Sequence, residues 1–160
     1  THLIAYALDG IAFSSEILVG ESIGKRQYNY YRKITRSCFK LGFIFSIILS
    51  IFFLIFGFSI INLMTSLDEV RQICYNYLFW IIVTPILALS SFLLDGIFLG
   101  AARGTEIRDA MIQSFTVFCI SALIFVELFG NQGLWASIAI FYVARGITLK
   151  RYLHKINVLF

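Results

Sequence analysis

Three carboxylates stand inside long apolar stretches of this sequence. Asp9 and Glu16 lie in the first stretch and Asp95 lies in the third. A charged side chain at the centre of a bilayer costs about 2.5–3.5 kcal/mol on insertion scales, so such residues normally face a protein interior or a water-filled cavity. A carboxyl group placed there can exchange a proton or neutralise a cation. The chemistry these residues indicate is that of a proton-coupled carrier or a cation site.

Two of the carboxylates share one face of a predicted helix. At 100° per residue, a single stripe contains Ala5, Asp9, Ala12, Glu16 and Gly20. Small residues let helices pack closely, so this stripe is expected to face other helices. At 1.5 Å per residue, Glu16 lies roughly 13 Å before Lys25 and Asp9 about 10 Å further out. The alternative is a protonated carboxyl group that is hydrogen-bonded to a neighbouring helix for structure alone.

Asp95 belongs to a second small or polar stripe, which contains Thr84, Ala88, Ser91, Asp95 and Ala102. This predicts that Asp95 also points inward. It lies about 12 Å from Arg103 along a helix, so snorkelling or a structural ion pair with Arg103 is the alternative. Glycines at four-residue spacing predict close helix contacts at Gly96, Gly100 and Gly104, and at Gly20 and Gly24.

The composition indicates that most of the chain lies in an apolar environment and not in water. The 160 residues are 59% hydrophobic and 14% charged, whereas soluble domains are about half apolar and a quarter charged. Five stretches reach spanning length, at about 3–24, 41–64, 73–99, 110–129 and 133–149. The predicted fold is therefore all-α, a polytopic membrane protein with about five transmembrane helices in one unit over 1–160.

Other function classes find little support in the sequence. The bases lie between apolar runs and build no basic face, so no nucleic-acid partner is expected. The three cysteines are far apart in apolar surroundings, and no His, Cys or carboxylate spacing fits a metal ligand set or a nucleophile with its base. We therefore expect neither an enzyme nor a cofactor. A membrane enzyme or a structural subunit stays as the alternative class.

The predicted connections between spans alternate along the chain between connections rich in Lys and Arg and connections with one base or none. Counting Arg145 with the tail, twelve of the thirteen Lys and Arg residues fall on one side of the predicted bundle. The positive-inside rule makes that side cytoplasmic, which places the N-terminus outside and the C-terminus inside. Because the chain opens on Thr1 without Met, a basic n-region or a cleavage site, we expect part of a longer protein without a signal peptide.

Four stretches, at 6–24, 94–101, 130–135 and 144–146, lie in order along almost the whole chain and resemble the multidrug and toxic compound extrusion (MATE) family and its DinF-like branch. The branch pattern Y-A-L-D-G-F-A-F resembles YALDGIAF at 6–13, and the family pattern V-G-Q-x-I-G resembles VGESIG at 19–24. The patterns L-D-G-x-F-x-G-A, G-N-x-G-L-W and A-R-G resemble 94–101, 130–135 and 144–146. Glu21 stands where the family has Gln, so no role is carried over to it.

The resemblance implies spans eight to twelve of a twelve-span carrier, that is, part of its C-terminal lobe. Family members export cationic or amphipathic small molecules in exchange for H⁺ or Na⁺ by alternating access between two lobes. Asp95 resembles the family's acid in the tenth span, and Glu16, Asp9 and Asp95 are expected to line the central cavity. Expected partners are the lipid bilayer of a bacterial inner membrane, the missing N-terminal lobe and a small-molecule substrate.

Two related readings stay open. A lipid-linked oligosaccharide flippase of the same superfamily shares the inverted lobes but usually lines its cavity with bases, and here only Arg145 lies within a span. A remnant of a carrier that transports nothing is the other. The presence of only one base within a span favours the antiporter.

The orientation can be tested by cysteine labelling in spheroplasts. Because the basic side is predicted to be cytoplasmic, single cysteines near Arg32 should be protected from an impermeant thiol reagent, and those near Asn131 should react. The opposite pattern would overturn the orientation.

Overall fold

The chain folds into five long helices and one short one. The computed structural model describes residues 2–157, with side chains over 4–156. Its elements are α1 (His2–Gly24), α2 (Tyr28–Met64), α3 (Asp68–Gly100), α4 (Gly104–Phe129), α5 (Asn131–Tyr152) and the short α6 (His154–Asn157). Within the described residues there is no strand, which confirms the all-α prediction.

The helices are joined by short turns that use left-handed backbone. Arg26 has φ 52° between α1 and α2, Ala102 has φ 54° between α3 and α4, and Gly130 has φ 58° between α4 and α5. Ala102 is therefore exposed in a turn, and its predicted place on the inward stripe of Asp95 was wrong. The predicted loop around 130–133 is also shorter than expected, because only Gly130 lies outside the helices.

The basic stretch after α1 is mostly helical and not a loop. α2 begins at Tyr28, so Arg32, Lys33, Arg36 and Lys40 lie on its first turns. Arg and Lys are good helix formers, so a high charge density alone does not predict a loop. At 1.5 Å per residue the helix is ~55 Å long, well beyond the ~30 Å of a hydrocarbon core. Its basic end therefore extends out of the apolar layer.

Three helices, α2, α3 and α4, are long and apolar enough to cross a membrane by length and composition. Their outer faces carry exposed large side chains such as Ile55 and Leu123, which suits contact with lipid. α1 and α5 are shorter and contain Asp9, Glu16 and Arg145. The structure thus fits a polytopic membrane protein, and the exact limits of its five spans stay a prediction.

Consecutive helices run in alternating directions, with α3 in the middle. α3 packs against α1, α2 and α5, whereas α4 packs mainly on α5. At one end, a buried apolar cluster joins all six helices through Val19, Tyr31, Leu94, Ile97, Phe98, Ala101, Ala110, Leu149 and Ile156. At the other end, the Trp80 indole of α3 donates a 2.6 Å hydrogen bond to Gln132 of α5.

This arrangement gathers eleven of the thirteen bases at the end of the bundle that holds the apolar cluster. The exceptions are Arg71, at the opposite end, and Arg145, which pairs with Asp95 inside the bundle. Counting Arg145 with the tail was therefore wrong. The alternation along the chain is otherwise as predicted.

Glycines set the closest helix contacts. A Cβ atom at Gly96 would overlap the backbone carbonyl of Ala12, and one at Gly100 would overlap the carbonyl of Glu16. Gly20 lies on the same interface, because a Cβ there would come within 3.3 Å of the Gly100 carbonyl. Gly24 and Gly104 face open space, so the predicted contacts at those two positions were wrong.

The proline in α3 does not end the helix. Pro85 is buried, and α3 continues on both sides of it. Proline removes a backbone donor and crowds the carbonyl groups one turn before it. One carbonyl in that turn, of Ile82, accepts a 2.7 Å hydrogen bond from the Ser50 hydroxyl of α2. A side chain from the neighbouring helix thus helps α3 to pass through its proline.

The glycine contact between α1 and α3 can be tested with Gly96→Ala. The added methyl group would overlap the Ala12 carbonyl and Ser15, and overpacking of this kind typically costs ~1–3 kcal/mol. Thermal unfolding of the full-length protein in detergent should show a lower Tm. Gly10→Ala is the matched control, because a Cβ at Gly10 meets nothing within 4 Å and alanine favours a helix. An equal or higher Tm for Gly96→Ala would contradict the contact.

Candidate functional site

The three predicted carboxylates lie around one cleft. A cleft of about 250 Å³ is lined by Asp9, Ala12, Phe13, Glu16, Phe92, Asp95, Gly96, Leu99, Ile107 and Arg145. The lining therefore comes from α1, α3, α4 and α5. All three acids selected from the sequence are present, and the cleft also contains a base. Their role in binding stays a prediction, whereas their proximity is a feature of the fold.

The packing of α1 on α3 explains why the acids meet. Gly96 fits against α1 at Ala12, which lies midway between Asp9 and Glu16 on the stripe. Asp95 is the neighbour of Gly96 and so stands beside the two acids of α1. A larger side chain at Gly96 would move α1 away and separate the carboxylates.

Asp95 forms an ion pair with Arg145 of α5. The Nη2 atom of Arg145 lies 3.1 Å from Oδ1 and 3.0 Å from Oδ2 of Asp95. The Arg145 side chain is only 18% exposed and the Asp95 side chain only 22% exposed. The alternative partner suggested by the sequence, Arg103, was wrong. Arg103 instead contacts Glu106, at 3.5 Å, and the Lys155 carbonyl.

The other polar groups of the cleft are less well satisfied. Asp9 and Glu16 are partly buried, and neither makes a hydrogen bond or an ion pair within the described part of the chain. The Nε atom of Arg145 is buried and also has no hydrogen-bond acceptor among the described residues. The cleft therefore holds three carboxylates and one guanidinium group. In a fully paired polar network, each of these groups would have a hydrogen-bond or ion-pair partner.

Two acids outside the cleft behave as structural groups. Glu21 is exposed and pairs with Lys25 at 2.5 Å. Glu106 is buried and was not singled out in the sequence. It accepts a hydrogen bond from Thr105 at 2.7 Å and pairs with Lys155 at 3.3 Å. Its spacing of three from Arg103 was the available signal.

A larger groove lies elsewhere on the surface and contains no acid. It measures about 520 Å³ and runs mainly between α3 and α5, lined by Phe39, Ile86, Leu87, Ser90, Leu94, Val143, Gly146, Ile147, Lys150 and Leu153. Such an apolar groove suits lipid or another part of the protein. We place the candidate site in the smaller cleft because its charged groups are costly to bury without a function.

Comparison with known proteins assigns the family. The MatE family model matches residues 1–126. The chain belongs to the MatE family. This confirms the resemblance found in the sequence. The matched residues include the three acids of the cleft, Asp9, Glu16 and Asp95, whereas Arg145 lies beyond them.

A curated relative of this MatE chain is the DNA damage-inducible protein F of Escherichia coli (strain K12). The two are 34% identical over 145 residues, which is 91% of this chain and 31% of the relative. The MatE chain thus spans about a third of the length of the curated relative it matches. No solved structure gives a significant match.

The ion pair across α3 and α5 can be tested with a double-mutant cycle in the full-length protein. Asp95→Asn and Arg145→Gln each leave one buried charge without its partner, so each should lower the Tm. The double variant should be more stable than additivity predicts, by about 0.5–3 kcal/mol.

Glu21→Gln is the control, because it breaks an exposed pair outside the cleft and exposed pairs contribute little to stability. Strict additivity of the two cleft substitutions would show that the side chains do not interact.

Proposed function

We propose that the full-length protein is a cation-coupled antiporter that exports cationic or amphipathic small molecules. The observation that carries the proposal is the grouping of Asp9, Glu16 and Asp95 around one cleft in a MatE-family chain. In this proposal the cleft belongs to the central cavity between this lobe and the N-terminal lobe. The coupling ion is H⁺ or Na⁺.

The two unpaired acids supply the exchange chemistry. Asp9 and Glu16 form no ion pair within the described residues, because Arg145, the base of the cleft, pairs with Asp95. A carboxylate without a partner in apolar surroundings is costly. A proton or another cation removes that cost. Because one carboxylate cannot be fully neutralised by a proton and by a second cation at once, the two occupants compete. Competition at a shared site is what an exchange carrier requires.

Alternating access then turns competition into transport. If the lobes open in turn to each side of the membrane, a substrate released outside is replaced by a coupling ion that is carried inward. The cleft lies where α1, α3 and α5 meet, so a movement of these helices changes access to all three acids together. A carrier of this kind needs no resident cofactor and catalyses no chemical reaction.

Charge also separates the antiporter from the flippase. A flippase for a lipid-linked oligosaccharide must accommodate an anionic diphosphate, which basic side chains stabilise. The one base in the cleft, Arg145, is already paired with Asp95, and the remaining acids would repel an anion. The geometry therefore favours a cationic substrate.

Glu16→Gln in the full-length protein tests the proposal directly. The amide keeps the shape and much of the hydrogen bonding, but it cannot exchange a proton or neutralise a cation. We expect insertion and Tm close to those of the wild type, together with loss of substrate-dependent proton or sodium release from reconstituted vesicles. Glu21→Gln is the matched control, since Glu21 does not line the cleft.

Two outcomes would change the assignment. Wild-type coupling in Glu16→Gln, at equal protein level, would remove Glu16 from the site and leave Asp9 and Asp95 as its acids. Wild-type coupling in a variant with all three acids neutralised would overturn the proposed function.

A further inference from the structure

We propose that Arg145 determines how many positive charges the cleft accepts in a substrate. This rests on the proposed function and makes it more specific. Arg145 acts as a fixed internal cation that neutralises Asp95 and leaves Asp9 and Glu16 for the ligand. The favoured occupant is then a dication.

The charge count follows from the lining of the cleft. With its carboxylates ionised, the cleft holds three negative charges, from Asp9, Glu16 and Asp95, and one positive charge, from Arg145. No other charged residue lines it. An excess of either sign in an environment of low dielectric is costly, because Coulomb interactions there are weakly screened. Two positive charges bring the cleft to neutrality.

The contacts of Arg145 suit a residue that supplies a positive charge better than one that fixes the orientation of the Asp95 carboxylate. Only one of its nitrogens, Nη2, reaches Asp95, and Nε is buried without an acceptor among the described residues. An arginine used for geometry would present two parallel N–H groups to the carboxylate. Buried ion pairs are in any case weak contributors to stability. What the pair does provide is a positive charge at a fixed place.

The position of that charge is set by backbone packing. Gly146 follows Arg145 and packs against α3, where a Cβ atom would come within 2.5 Å of the Ser90 hydroxyl. This close approach holds Arg145 beside Asp95 on the α3 side of the cleft. The two acids on α1 line the same cleft and form no ion pair among the described residues. They are therefore the groups left for a ligand.

The test measures ligand charge preference, which a structural role would not change. Ethidium and propidium share a ring system but carry one and two permanent positive charges, respectively. Their dissociation constants are measured by fluorescence for the full-length protein in nanodiscs at one alkaline pH. Four variants are compared with the wild type: Arg145→Gln, Arg145→Lys, Asp95→Asn and the double variant Asp95→Asn/Arg145→Gln.

The charge count predicts how the ratio of the ethidium and propidium dissociation constants changes, or stays the same, in each variant. Arg145→Gln adds one net negative charge, so the preference for propidium should rise about tenfold. Asp95→Asn removes one, and the preference should shift toward ethidium by a similar factor. Arg145→Lys and the double variant keep the wild-type net charge, so their ratios should stay within about twofold of the wild type.

The possible outcomes show whether the inference fails alone or together with the proposed function. If Arg145→Gln weakens both dyes equally, or if the double variant does not restore the ratio, the inference is wrong and the antiporter proposal stands. If the wild-type protein binds neither dye, both proposals fail. If Arg145→Gln does not fold, Asp95→Asn decides, because an unchanged ratio in that variant also overturns the inference.

Discussion

The contact between α1 and α3 is the constraint on which the site depends. Gly96 and Gly100 let the backbone of α3 approach the carbonyl groups of Ala12 and Glu16 with no side chain between them. At that distance the acids on α1 stand next to Asp95. Helices in lipid gain little from hydrophobic burial and associate through close packing. The interaction that holds the bundle together here is thus also the one that concentrates its charge.

Polar groups in the bundle differ in whether their own helix can supply a hydrogen-bond partner, and the two acids of α1 are groups for which it cannot. Several buried serines satisfy their hydroxyl groups within their own helix, as Ser15 does with the Ala12 carbonyl and Ser22 with the Val19 carbonyl, each at 2.7 Å. A hydroxyl can donate in this way, but an ionised carboxylate only accepts. Asp9 and Glu16 cannot use the helix carbonyls, so they depend on a donor or a cation from elsewhere.

Local periodicity was sufficient to predict one part of the site and insufficient for the other. The stripe of Asp9 and Glu16 follows from the geometry of a single helix, so it could be read from residue spacing. The partner of Asp95 lies fifty residues further along the chain, and its identity depends on how α5 packs on α3. Arg145 was visible as the one base inside a span, but spacing along one helix pointed to Arg103.

The same limit explains the errors in the connections. The stretch between the predicted spans at 3–24 and 41–64 holds a run of bases, yet most of it belongs to α2, because helix propensity and charge are separate properties. The glycines at 20, 96 and 100 form contacts and those at 24 and 104 do not. Their spacing is the same, and only the place of each in the packed bundle distinguishes them.

The one-residue turn at Gly130 has a mechanical consequence. α4 and α5 are joined with no slack, and Gly133 packs directly against the backbone of Phe125. The two helices therefore form a closely packed pair, whereas α4 makes few contacts with the other helices. A torque applied to α4 is transmitted through α5 to its contact with α3. The resulting shear acts on the polar bonds that cross that contact, those of Trp80 to Gln132 and of Arg145 to Asp95.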